Sequence, residues 1–118
     1  MRIATEERRQ HKRYKLDNSV SISSQGIFQD TDLSQGGFCF RCPPYTPITD
    51  VFVTDILSSG ASIQGFSAKR AWVMMTENST HKHLPTIVGV KFGTLTQEQE
   101  SLLLQLLYTL EKNSGSLH

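Results

Sequence analysis

From residue 19 to residue 92 the chain alternates apolar and polar positions in short runs, rich in β-branched and aromatic residues and closed by Gly, Pro, Ser, Asn or Asp. A period of two with such punctuation predicts strands. They are expected over Ser19 to Ser24, Ile27 to Leu33, Phe38 to Arg41, Asp50 to Leu57, Ala61 to Met75 with a break near Ser67, and Thr86 to Phe92. Gln25-Gly26 and Ser58-Ser59-Gly60 read as hairpin connections, because glycine reaches positive φ without a steric penalty. Pro43, Pro44 and Pro47 keep their stretch out of a sheet interior. Residues 76 to 85, TENSTHKHLP, read as a long exposed loop.

After residue 95 the period changes. Thr96 and Gln99 have the spacing of a capping box, in which each side chain satisfies the other's backbone amide at a helix start. Leu103, Leu106, Leu107 and Leu110 then fall on one helical face, with Leu102 and Tyr108 at its margins. Lys112 suits a helix C-terminus, and Asn113 with Gly115 provides a stop. A helix is thus predicted over residues 96–112. Six short strands and one amphipathic helix predict a mainly β fold: a small six-stranded antiparallel barrel with the C-terminal helix across one opening or flank.

The chain has 118 residues, 37% hydrophobic and 19% charged, which excludes a disordered or fibrous protein and predicts one domain. No apolar run approaches the roughly 20 residues of a membrane helix, and the N-terminus lacks the apolar middle of a secretory signal; a cytoplasmic location is expected. Net charge is only +1, but residues 1–15 carry six Lys or Arg against two Glu. This +4 arm, followed by a remainder of −3, should attract a polyanion: nucleic acid, anionic lipid or an anionic nucleotide.

Within the arm, Arg9 and Arg13 form an RxxxR motif, two planar guanidinium forks able to grip phosphates or guanine edges through paired hydrogen bonds. One predicted hairpin later, Asp32-Leu33-Ser34-Gln35-Gly36-Gly37 supplies a DxSxxG motif: a carboxylate, a hydroxyl and a tight turn. Their order and separation, Phe38 after them, the late strand IVGVKF and the C-terminal helix together resemble the PilZ domain, the bacterial receptor module for cyclic di-GMP, over nearly the whole chain.

That resemblance implies a stand-alone cyclic di-GMP receptor without cofactor or catalysis, whose basic arm closes over the ligand and creates a surface for an effector protein. Motility, biofilm or secretion machinery are the settings the family suggests. Arg9 and Arg13 would hold phosphates or guanine edges, and the neighbouring Arg8 a second phosphate or a second ligand molecule. Asp32 would accept from guanine N1 and N2, sharing a strand face with Ser34, which would donate to a phosphate or accept from the exocyclic amine. Gly36 and Gly37 would let the chain turn and bring backbone amides to the ligand. Trp72 would offer a plane for a guanine if it points outward, and otherwise belongs to the core. Two departures from the family's pattern stand out: Pro44 to Asp50 replaces a glycine turn before the fourth strand, and the loop at residues 76–85 is long.

Three other readings compete with this one. A PilZ-like adaptor, for instance in pilus assembly, would keep both motifs merely solvated; a small barrel binding nucleic acid is disfavoured because Tyr14 alone interleaves the basic run. Cys39 and Cys42 form a CxxC with His81 and His83 as distant candidate metal ligands, yet positions three apart on a strand face opposite ways, so two free thiols are expected. His11, inside the arm, would either modulate anion affinity or be inert. A monomer or weak dimer is anticipated, Leu102 and Leu104, which flank the buried helix face, being candidates for self-association.

Overall fold

The computed structural model describes residues 11–58, 61–76 and 84–116, with side chains to residue 113. In chain order the elements are β1 (Tyr14–Lys15), β2 (Ser19–Ser23), β3 (Gly26–Leu33), β4 (Gly37–Cys42), β5 (Val51–Ser58), β6 (Ala61–Met75), β7 (Thr86–Phe92) and α1 (Gln97–Ser116). All pairings are antiparallel. The ring β3-β2-β5-β6-β7-β4 closes because β4 pairs with β3 as well as β7. Closure removes most sheet edges, which are otherwise sticky.

The alternation read from the sequence supplies the interior. Phe28, Leu33, Phe38, Phe40, Ile56, Ile63, Phe66, Val88 and Val90 point inward and are buried. Phe28 and Phe40 stack with centroids 4.7 Å apart, and Phe38, Phe66 and Phe92 meet at tilted or edge-on angles. Each such side chain, fully buried, contributes about 1.5–3 kcal/mol of transfer free energy. Leu103 and Leu106 of α1 enter the same cluster, with Leu102, Leu107 and Leu110 against it, while Leu104 and Tyr108 face solvent. The capping box is formed: Thr96 N–H donates to Gln99 Oε1 at 2.9 Å, and Gln99 N–H to Thr96 Oγ1 at 3.0 Å.

Three features differ from the sequence reading. The predicted break near Ser67 is absent; β6 runs unbroken and absorbs its irregularity in bulges on either side. In the first, Gly65 adopts φ +62° and donates its N–H to Asp55 Oδ1 at 2.6 Å, a conformation that a side chain would strain. The helix does not stop at Asn113 but continues to Ser116. The last residues of the arm are a strand: Tyr14 pairs with Leu33 and Lys15 with Asp32, anchored by the buried Leu16.

Candidate ligand-binding site

The geometry of the site begins with a bulge in β3. Phe28 and Asp30 point into the barrel, and strict alternation would send Asp32 inward as well. Thr31 is an extra residue, however: Asp30 pairs with Phe40 but Asp32 with Cys39. The phase flips there, so Asp30 is 1% exposed inside while Asp32 stands outside and Leu33 returns to the core. The same alternation on β4 sends Phe38, Phe40 and Cys42 inward and leaves Cys39 outside, beside Asp32.

Arg13, immediately before β1, reaches both. Its Nη1 donates to Asp32 Oδ1 and to Cys39 Sγ, each at 3.3 Å. The second arginine of RxxxR and the carboxylate of DxSxxG are therefore brought together on the outer face. With a third or so of each side chain open to water, the pair contributes no more than about 1 kcal/mol, and a bound ion could exchange with it. Burial pushes the Cys39 thiol up to about 11, so it meets the guanidinium as a neutral weak acceptor. Cys42 is buried in the core cluster and both thiols are free, so the two sulfurs diverge as their spacing requires. Among the described residues no group of three His, Cys, Asp or Glu could hold a metal; His81 and His83 lie outside them.

Ser34 and the glycines of DxSxxG are engaged with one another. Ser34 Oγ accepts the amides of Gly36 and Gly37, both at 3.2 Å, and donates to the Gly37 carbonyl at 3.3 Å. Ser34 lies past the end of β3, so it does not share a strand face with Asp32, and its hydroxyl builds the turn. Gly36 and Gly37 are not among the glycines of positive φ, Gly26 and Gly65. What each lacks is room. A Cβ on Gly36 would come within 2.9 Å of the His11 ring, which lies over the turn, and one on Gly37 within 1.9 Å of the Val90 carbonyl.

On the other side the arm is tied to the helix. Tyr14 Oη donates to Glu111 Oε1, Lys12 Nζ lies 3.4 Å from the same oxygen, and the Lys12 ammonium sits 5.3 Å from the Tyr14 ring centre. The Tyr14 hydrogen bond, then Lys12, hold the Glu111 carboxyl below its usual range. Glu111 and Gly89 are site neighbours that sequence reasoning missed. Arg8 and Arg9 lie outside the described residues.

Trp72 points outward. It pairs across β6 and β7 with Gly89, which pairs with Cys39, which pairs with Asp32, forming one outer row over four strands. A Cβ on Gly89 would lie 2.2 Å from Trp72 Cε2, so the indole rests directly on that glycine, with 39% of the residue exposed. Three interstrand steps separate Trp72 from Asp32, roughly 14 Å along the sheet. Gly89→Ala should lift the indole off its seat, shifting emission of the only tryptophan to longer wavelength and costing about 1–3 kcal/mol. An unchanged spectrum would contradict this seat.

The model of the PilZ domain family matches residues 7–109, a span that takes in both motifs, the whole barrel and most of α1. The chain belongs to the PilZ domain family. Among solved structures, this PilZ domain is similar to the "PilZ domain with c-di-GMP of YcgR from Escherichia coli", with 15% identity, a TM-score of 0.70, and coverage of 91% of this chain and 94% of that one. It is also similar to the "K. pneumonia MrkH-c-di-GMP complex", with 14% identity, a TM-score of 0.73 and 93% of this chain covered; this chain spans 55% of the length of that one. At such identities the likeness is one of fold. No curated protein sequence matches the chain. No helix among the described residues is long and apolar enough to cross a membrane.

Proposed function

We propose that this PilZ domain is a cyclic di-GMP receptor and adaptor. The observation that carries the reading is the convergence of Arg13 on Asp32, which joins the RxxxR and DxSxxG motifs on one outer face. Family membership and the titles of the two similar structures, both naming cyclic di-GMP, support the choice of ligand.

In this reading the ligand exchanges with the weak Arg13–Asp32 pair. A phosphate takes the Arg13 fork, and a guanine edge presents its N1 and N2 donors to the released Asp32 carboxylate. Arg8 and Arg9 supply further phosphate contacts. Because Ser34 Oγ already accepts two amides, its remaining contribution is to hold the turn rigid beside the ligand. Trp72, at the far end of the row, offers its outer face for stacking, worth about 1–3 kcal/mol per base. Arg13 shares the arm with Lys12 and Tyr14, so moving it perturbs their contacts with Glu111 on α1. The rearranged arm and helix form the surface an effector protein reads.

Titration calorimetry with cyclic di-GMP tests this. Arg13→Ala and Asp32→Ala should each weaken binding about ten- to a hundredfold, the loss of one charge-assisted contact. Unchanged affinity in the Arg13 variant would overturn the assignment. Absence of heat with the wild type would favour an adaptor that needs no nucleotide, and steeply salt-dependent oligonucleotide binding a nucleic-acid barrel.

A further inference from the structure

Among the described residues, one stretch of the barrel keeps an open edge. The pairing of β6 with β5 ends at Lys69 opposite Val51, and Arg70 N–H still donates to Asp50 O at 2.8 Å. From Ala71 to Met75, β6 pairs with β7 alone. Among the described residues nothing pairs with its other side. The exposed side chains there are apolar: Trp72 39%, Val73 52%, Met74 50% and Met75 49%. The segment AWVMM has no charge, proline or glycine, the devices that usually keep a bare edge from pairing.

We propose that this edge pairs with the same edge of a second copy of the chain, in antiparallel register about a two-fold axis at Val73. Backbone polarity fits that axis. Thr76 N–H points to β7, where it donates to Pro85 O at 2.8 Å. Alternation then turns the N–H and C=O of Met75 and Val73 away from β7, toward the open side. The bulge between Arg70 and Trp72 accounts for the opposite phase at Arg70. Val73 thus presents both groups of a reciprocal hydrogen-bonded pair, one of the two places at which an antiparallel dyad can pass.

The side chains are complementary in the same register. Val73 meets Val73 of the second copy, Trp72 meets Met74, and Ala71 meets Met75, so the pairs are apolar throughout and small faces large at their ends. The product is a continuous four-stranded sheet, β7-β6 joined to β6-β7. A charge-free edge whose own sequence matches itself this way selects a second copy over a charged partner. With five residues a side, the contact falls at the small end of interfaces, under about 1,200 Å², and so forms a weak, concentration-dependent dimer.

Sedimentation velocity of the full chain, from micromolar to near-millimolar concentration, tests the proposal. The wild type should shift toward dimer as concentration rises. Val73→Lys and Val73→Glu each set like charges face to face on the axis and should raise the dissociation constant about tenfold or more. An equimolar mixture of the two should dimerise again. Far-UV circular dichroism checks that both variants fold, which the exposure of Val73 favours. A wild type monomeric throughout, a mixture that stays monomeric, or a dimer broken by Leu104→Glu on the helix but not by the Val73 variants would each overturn the proposal. None of these readouts involves nucleotide.

Discussion

Gly37→Ala should lose at least about 3 kcal/mol of stability while Gly36→Ala loses under about 1 kcal/mol, although the two glycines are adjacent in the same turn. The added methyl at Gly37 would sit 1.9 Å from the Val90 carbonyl oxygen, 3.0 Å from its carbon and 3.1 Å from Lys91 Cα, all backbone of the neighbouring strand. Backbone in a ladder cannot step aside alone. Relief requires β4 and β7 to separate where Gly37 pairs with Lys91 and Phe38 with Val90, which also opens the packing of Phe38 and Phe40. At Gly36 the methyl meets only the edge of the His11 ring, a side chain free to swing into solvent. Against a usual domain stability of about 5–15 kcal/mol, the Gly37 loss would lower the melting temperature by roughly 10–20 °C or leave the protein unfolded. Thermal and urea unfolding of both variants check this. Equal losses would mean that turn conformation, not strand contact, sets the demand for glycine in DxSxxG.

That distinction marks where sequence reasoning stopped. The barrel and helix were legible because burial follows two simple periods: Phe38 and Phe40 on one, Leu103 and Leu106 on the other. The capping box at Thr96 and Gln99 is local chemistry, so four residues sufficed to place it. The bulges were not legible, because an extra residue is defined only by what lies across the ladder. Thr31 has no local feature that announces it; the phase break between Asp30 and Leu33, an acid and an apolar residue that both face inward three positions apart, was the available signal. The spacing of RxxxR and DxSxxG pointed to one site, but the anchoring of the arm by Glu111 depends on a contact 97 residues away in sequence. In the sequence Cys39 reads as half of a CxxC, whereas its position under Arg13 follows from the same alternation that parts it from Cys42.

Just before the bulge at Thr31, alternation places the Asp30 carboxylate inside the barrel, and Asp30→Asn should abolish a pH-dependence of stability worth roughly 3 kcal/mol. Ser19 Oγ donates to Asp30 Oδ2 at 3.0 Å, Ser21 Oγ approaches without a formed hydrogen bond, and Oδ1 is buried with no partner. Burial raises the carboxyl from 3.8 to about 6, with the two serines pulling only partly the other way. Between these values the folded chain holds a proton that the unfolded chain has lost. Stability from this group is therefore complete below about pH 4, falls as pH rises through 6, and is gone at neutrality, where a buried anion remains. The asparagine amide finds the same serine oxygens, and any fixed gain or loss in fit is independent of pH. The variant-minus-wild-type difference should consequently grow in the variant's favour by up to about 3 kcal/mol from pH 4 to pH 7.5. Urea unfolding of both proteins across that range measures it, and the histidines and exposed carboxylates common to both cancel. A difference that stays flat with pH would mean that Asp30 is ionised as readily in the barrel as in the unfolded chain. Water or a cation would then have to reach Oδ1, and the inner face of β3 would be no drier than the outer one.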